Sequence, residues 1–310
     1  MTETLPPTAQ GIARAASLLR DGALVALPTE TVYGLAADAR NGAAVAGIYA
    51  AKGRPSFNPL IVHLPDAESA KRYVEWSDDA DRLAQAFWPG ALTLVLPLKP
   101  DNGLSSLVTA GLPSLAVRVP AHPAMTQVLK NLNGPVAAPS ANPSGKISAT
   151  TAAHVLSGLD GRIAAVLDDG PCTVGLESTI IGLAGPGPTL LRAGGLPAEA
   201  IEAALGQRLE TIDGAEIIAP GQLQSHYAPG AAVRLNAKAA DPGEVLLGFG
   251  EMTCDLNLSP SGDLTEAAAN LFDYLHQLDA TGKPIAVVQL PDHGLGRAIN
   301  DRLTRAAAPR

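Results

Sequence analysis

The run LPTETVYGL, beginning at Leu27, constrains what this chain can fold into more than any other segment. Residues 23–27 are wholly apolar, the pattern of a short strand buried on both faces, and Pro28 stops it. The strand end then delivers Thr29, Glu30 and Thr31 into the space beyond, and crevices at strand ends are where open α/β sheets bind ligands. A second polar segment, KGRPSFNP from Lys52, leads into another apolar run at 60–64. Both place charge and turn-forming residues between buried strands, a pattern that serves a site better than it serves packing.

Comparable apolar runs recur at 92–98, 115–119, 136–138, 164–168, 179–183 and 189–192. Helical periodicity interleaves with them at 8–21, 43–51, 66–74, 78–88, 123–132, 150–159 and 197–205. Because the connections are unequal in length, the expected fold is α/β, with a mixed sheet flanked by helices. Residues 207–230, rich in Gly, Pro and polar side chains, have the composition of a linker. Beyond it VRLNA, EVLLGFG and IAVVQL alternate with helical stretches at about 264–278 and from 295, as in a small three-layer α/β unit. The expected organisation is therefore a catalytic domain over 1–206, a linker over 207–230 and a C-terminal domain over 231–310, reasonable for 310 residues.

A net charge of −8 argues against an extended nucleic-acid surface, so stable nucleic-acid binding is not expected. The N-terminal segment has an acidic residue and prolines where a secretory signal needs a basic start and an apolar core, and no run approaches eighteen apolar residues. A cytoplasmic protein with no membrane partner is expected. Cys172 and Cys254 fit neither metal-ligand spacing nor a disulfide framework, and no metal site is expected.

Lys52 and Arg54 flank a glycine just past a helical stretch, with Pro55, Asn58 and Pro59 fixing the following turn. Two cations held in that way suit a phosphate or carboxylate, although a solvated basic turn has the same composition. Ser140 and Asn142 lie between Pro139 and Pro143, which pre-aims a hydroxyl and an amide. Lys146 lacks the glycine spacing of a Walker-type loop. Arg118 on an apolar strand needs an anionic partner, either a structural carboxylate or a ligand, because an unpaired buried guanidinium is costly. His63, alternating with apolar neighbours, is either a core histidine or a ligand contact. Ser178 and Arg192 sit at strand ends, and Glu177 could act as an acid, a magnesium ligand through water or the partner of Arg118.

Taken in order, PTETVYGL, the Lys52-Gly-Arg54-Pro element with NPLIVH, AVRVPAHP, APSANPSG, ESTI, LLR and HYAP resemble the motifs of the YrdC-like family. The likeness runs from about residue 8 to the end and is to the long form of that family, the two-domain threonylcarbamoyl-AMP synthases. It implies a YrdC-like twisted mixed sheet with a small Rossmann-like C-terminal domain. The implied activity is nucleotidyl transfer: L-threonine, bicarbonate or CO2, and ATP give threonylcarbamoyl-AMP and pyrophosphate. The product would pass to a tRNA threonylcarbamoyl transferase complex, for threonylcarbamoyladenosine next to the anticodon. Magnesium is expected as Mg2+ carried by ATP.

By the same resemblance Lys52, Arg54, Ser140 and Asn142 surround the carbamate and α-phosphate. Thr29, His63, Arg118 and Ser178 line the threonine and adenylate site, while Lys52, Asn58, Ser140, Arg192 and Tyr227 contact the nucleotide. HYAP, at 226–229, implies a lid over the site; family members often carry a basic residue shortly before it, where this chain has Gln222 and Gln224. Two alternatives remain open from sequence. One is a carbamoyl-adenylate transferase of the hydrogenase-maturation type, which would need CxxC zinc elements. The other is an RNA-binding or ribosome-associated module using Lys52, Arg54, Arg118 and Lys146 as a basic concavity.

Overall fold

The computed structural model describes residues 1–211 and 226–309. β1 (Glu3–Leu5) leads into α1 (Ala9–Arg20), whose N-terminus Thr8 caps and whose apolar stripe of Ala15, Ala16 and Leu19 is buried. β2 (Val25–Leu27) is buried throughout, and β3 (Gly34–Asp38) returns antiparallel to it. α2 (Gly42–Lys52) starts on the Asn41 side chain and ends at Gly53, whose φ of 61° is left-handed. Then follow β4 (Ile61–His63), the short α3 (Ala67–Ala70), α4 (Asp78–Phe87), β5 (Leu92–Pro97), β6 (Ser114–Arg118), α5 (Pro123–Leu132) and β7 (Val136–Ala137). α6 (Ala152–Leu159), β8 (Ala165–Leu167), β9 (Thr179–Gly182), β10 (Thr189–Arg192), α7 (Ala198–Leu205) and β11 (Glu210–Thr211) complete this part.

These strands form one sheet in the order β1-β8-β2-β3-β7-β4-β6-β5-β9-β10-β11. Both parallel and antiparallel pairs occur in it, so the mixed sheet expected from the uneven connections is present. Helices cover both faces: α2, α6 and α7 residues join one core cluster, and α1 and α5 join another.

The second part contains β12 (Val233–Arg234), β13 (Val245–Gly248), β14 (Leu256–Asn257), α8 (Leu264–Asp279), β15 (Ile285–Val287) and α9 (Leu295–Ala307). Its four strands are all parallel, in the order β12-β15-β13-β14. Val245, Leu247, Ile285 and Val287 pack against α8 and α9, whereas Leu246 and Ala286 face Ala237, Met252 and Cys254. The α8–α9 cluster also takes in Val32, Ile147 and Leu176 from the first part, so the two parts share a hydrophobic core.

Two expectations need correction. The helix expected over 66–74 is only α3, because Val74 leaves it to bridge Leu98 at the end of β5. β1, β3, β11 and β14 lie outside the expected strands. In β3 the residues Gly-Leu-Ala-Ala-Asp have little strand preference, and pairing with β2 on one side and β7 on the other imposes the conformation.

Candidate functional site

The connection after β2 is built by Thr29. Its hydroxyl donates to Val32 O at 2.7 Å and accepts from the Thr31 and Val32 amides at 3.1 and 3.2 Å, closing a tight turn. That turn aims Glu30 and Thr31 at Arg118. Arg118 donates to Glu30 Oε1 at 2.6 Å, to Thr31 Oγ1 at 2.8 Å and to Gly90 O at 3.1 Å. Its anionic partner is thus a structural carboxylate. His63 stands beside Arg118 in register on parallel β4 and β6, so both side chains share a face of the sheet. Burial, and then the Arg118 charge, push the His63 imidazole down to about 3, so it is neutral at pH 7, and its Nδ1 is buried without a protein partner.

Gly53, in its left-handed conformation, ends α2 and turns the chain so that Lys52 and Arg54 diverge. Lys52 is buried, with Nζ donating to the main-chain oxygens of Ser140 and Asn142. Burial, with Arg54 adding repulsion, holds its ammonium pKa well below the usual value. Arg54 donates to Asn58 O at 3.3 Å and Pro59 O at 2.9 Å, and burial lowers its guanidinium to about 10. The Asn142 amide nitrogen bonds Pro143 O and Lys146 O, each at 2.9 Å, which fixes the 139–146 loop that Lys52 holds from below. Asn58 is completely buried, and both polar atoms of its carboxamide lack protein partners.

Ser178 enters from the start of β9, its hydroxyl 2.7 Å from that of Thr93. A register shift between Leu190 and Arg192 re-aims Arg192, which donates to Ser178 O at 2.8 Å and to Ser178 Oγ at 3.3 Å. Gly194 permits this approach: a Cβ there would lie 2.3 Å from Glu177 O. Glu177 bonds Ser148 and, across the two parts of the chain, Arg302 of α9 at 2.9 Å. Of the roles the sequence left open to Glu177, pairing with Arg118 is excluded. Burial favours its neutral form, but Arg302 and Arg192 prevail and its pKa falls below the usual carboxylate value.

These groups meet in a cleft of about 50 Å3 lined by Thr29, Arg54, His63, Arg118, Ser140 and Ser178, with Glu177, Arg192 and Tyr227 beside them. Lys52, Asn58 and Asn142 stand behind its walls. His226 and Tyr227 also line it, both buried. The Ala228 amide bonds Gly145 O at 2.8 Å and the His226 amide bonds Arg305 O at 3.3 Å, so HYAP is fastened to both parts of the chain. Tyr227 has a φ of 62°, uncommon for a bulky residue, and is held by stacking on Phe272 at 5.6 Å. Burial pushes His226 to about 3. Gln222 and Gln224 lie outside the described residues.

Lys52, Arg54 and Arg118 are 3, 9 and 3% exposed, which removes the basic concavity needed for RNA phosphates. Cys172 is buried in the first part and Cys254 lies in the second, so they form no CxxC element. Among the described residues no cluster of three His, Cys, Asp or Glu could hold a metal, and no helix is long and apolar enough to cross a membrane. Thr31, at the end of the first buried strand, and His226, in HYAP, are visible in the sequence but carry no assigned contact there, whereas nothing in the sequence singles out Ser148 or Arg302.

The sequence model of the Sua5/YciO/YrdC family, described as Telomere recombination, matches residues 17–194. The model of the threonylcarbamoyl-AMP synthase C-terminal domain matches 196–308. A threonylcarbamoyl-AMP synthase of Bacillus subtilis is 40% identical across 100% of this chain and 96% of its own length. The Pyrococcus abyssi threonylcarbamoyl-AMP synthase is 39% identical across 96% and 94%. The crystal structure of P. abyssi Sua5 complexed with L-threonine superposes with a TM-score of 0.89 at 37% identity, covering 99% of this chain and 97% of that one. E. coli YciO, at 19% identity and a TM-score of 0.57 over 63% of this chain and 96% of its own, shares the fold. With both family models matched in tandem, the chain belongs to the Sua5/YciO/YrdC family, in the two-domain form that ends in a threonylcarbamoyl-AMP synthase C-terminal domain.

Proposed function

We propose that this chain condenses L-threonine, CO2 or bicarbonate, and ATP into threonylcarbamoyl-AMP and pyrophosphate in the cytoplasm. The product goes to a tRNA threonylcarbamoyl transferase. The observation that carries this reading is a cleft whose walls hold three arginines, Arg54, Arg118 and Arg192, together with Ser140, Ser178 and a neutral His63. Such a lining suits two anions brought into contact and requires no protein nucleophile.

The threonine amine forms a bond to the carbon of CO2 and loses a proton, giving a carbamate. A carbamate oxygen then attacks the α-phosphorus in line, and the bond to the bridging oxygen of pyrophosphate breaks, so pyrophosphate leaves with the electron pair. In this reading Arg54 and Ser140 face the carbamate and α-phosphate, with Lys52 and Asn142 holding the 139–146 loop at the right height. Thr29, His63, Arg118 and Ser178 receive threonine and the adenylate, and Asn58, Arg192 and Tyr227 serve the nucleotide. Magnesium arrives on the triphosphate as part of the substrate. Positioning of this kind is worth about 7–11 kcal/mol of barrier, and the buried lid keeps water from the carbamate.

The test is pyrophosphate release by purified protein with ATP and magnesium, omitting L-threonine and bicarbonate in turn, with mass spectrometry of the adenylate. Dependence on both, with a threonylcarbamoyl-AMP mass, is expected. Release indifferent to threonine would remove this reading.

A further inference from the structure

The last helix of the second part reaches the cleft of the first. Arg302 on α9 is 0% exposed; its Nε donates to Glu177 Oε2 at 2.9 Å and its Nη1 to Asp301 at 2.7 Å. The guanidinium carbon also lies 5.1 Å from the centroid of the Tyr227 ring, a cation–π contact. One side chain therefore touches a residue of the cleft wall and a residue of the lid.

Glu177 makes this contact consequential. It lines the cleft next to Ser178, and with Ser148 bonding one oxygen and Arg302 the other it is held as an anion. A bare carboxylate facing a cavity for a carbamate and a triphosphate would repel both, and burial strengthens that repulsion by lowering the local dielectric. Arg192 also lines the cleft and bonds Ser178, whereas Arg302 bonds the carboxylate directly. The lid depends on the same helix, since the His226 amide bonds Arg305 O one turn further along.

We infer that Arg302 is a positioning residue, supplied by the second domain, which neutralises Glu177 and seats Tyr227, so that the nucleotide cleft is complete only when α9 is docked. The inference rests on reading the cleft as an ATP site. It is tested on the full-length chain with Arg302→Met, Glu177→Gln and the double variant, measuring ATP affinity by calorimetry, steady-state KM and kcat, and thermal melting.

Arg302→Met removes the ion pair that bonds Glu177 directly and should weaken ATP binding by about 10- to 100-fold. Glu177→Gln removes the carboxylate charge from the cleft and should bind ATP more tightly than Arg302→Met. The double variant should recover most of the affinity while kcat stays depressed, because the charge is gone but Tyr227 has lost its cation. A purely structural role would not give that split. Arg302→Met with wild-type KM and kcat would overturn the inference, as would a double variant that melts like wild type yet binds ATP no better than Arg302→Met. If Arg302→Met fails to fold, the double variant still decides, since an uncharged pair of similar volume is tolerated where a lone buried charge is not: wild-type kcat in it would overturn the seating of Tyr227. A wild-type chain that binds no ATP removes the reading of the cleft and this inference with it, whereas normal wild-type binding with indifferent variants removes this inference alone.

Discussion

Lys52 illustrates how a residue type can be read from sequence while its job cannot. Its spacing from Arg54 across a glycine points to an anion site, yet its ammonium is engaged by two carbonyls of the 139–146 loop. Lys52→Met leaves those buried acceptors without a donor, at about 1–3 kcal/mol. Adenylate formation should fall by about 100-fold or more as the loop loosens around Ser140. Melting curves and pyrophosphate release measure the two effects separately, and full activity in that variant would contradict the loop-holding role. The histidines set a pH dependence. His63 and His226 have folded-state pKa values near 3, below the unfolded value, so the unfolded chain binds the extra protons. Their contribution is complete above pH 6.5 and declines as pH falls from there toward 3, by roughly 1.4 kcal/mol per pH unit for each. Glu177, also depressed, adds stability above its unfolded pKa that is lost as pH falls through its lower folded value. Urea unfolding from pH 7 to 4 should show this slope, and His226→Asn should reduce it by about one proton. Arg302 was not legible because its partner lies 125 residues away and its stretch of sequence reads as an ordinary amphipathic helix.

At the scale of elements, the apolar runs and caps were legible because they are local. α5 and β10 fall where periodicity puts them, and α1, α2 and α4 end within a residue or two of expectation. β3 was not legible, since its small residues carry no strand signal and only the flanking strands define it. Close approaches are equally hidden, because a glycine shows in sequence but the backbone it admits does not. Gly194→Ala tests one of them: the new Cβ would meet the Glu177 carbonyl at 2.3 Å, a backbone atom that cannot swing away. Destabilisation of about 1–3 kcal/mol is expected from overpacking, with activity falling further than stability because Ser178 and Arg192 move with that segment. A Gly194→Ala variant that melts and turns over normally would mean the strand end is more compliant than its packing implies.

At the scale of the molecule, two alternating patterns of strand and helix were visible in the sequence, but not how they meet. Val32, Ile147 and Leu176 of the first part pack with Leu271, Phe272 and Leu275 of α8 in one cluster. The buried Arg302–Glu177 pair crosses the same seam. Calorimetry should therefore record a single cooperative transition; two resolved transitions would show that the seam is weaker than this packing requires. Tyr227 gives that seam a further meaning. Its ring belongs to the core of the second part while it also lines the cleft of the first. One stretch of the cleft's wall is therefore moored on the far side of the seam, stacked on Phe272 of α8. A change made in the greasy interior of α8 has a direct route to the cleft, through a single aromatic ring, without altering any residue of the sheet that carries the rest of the lining.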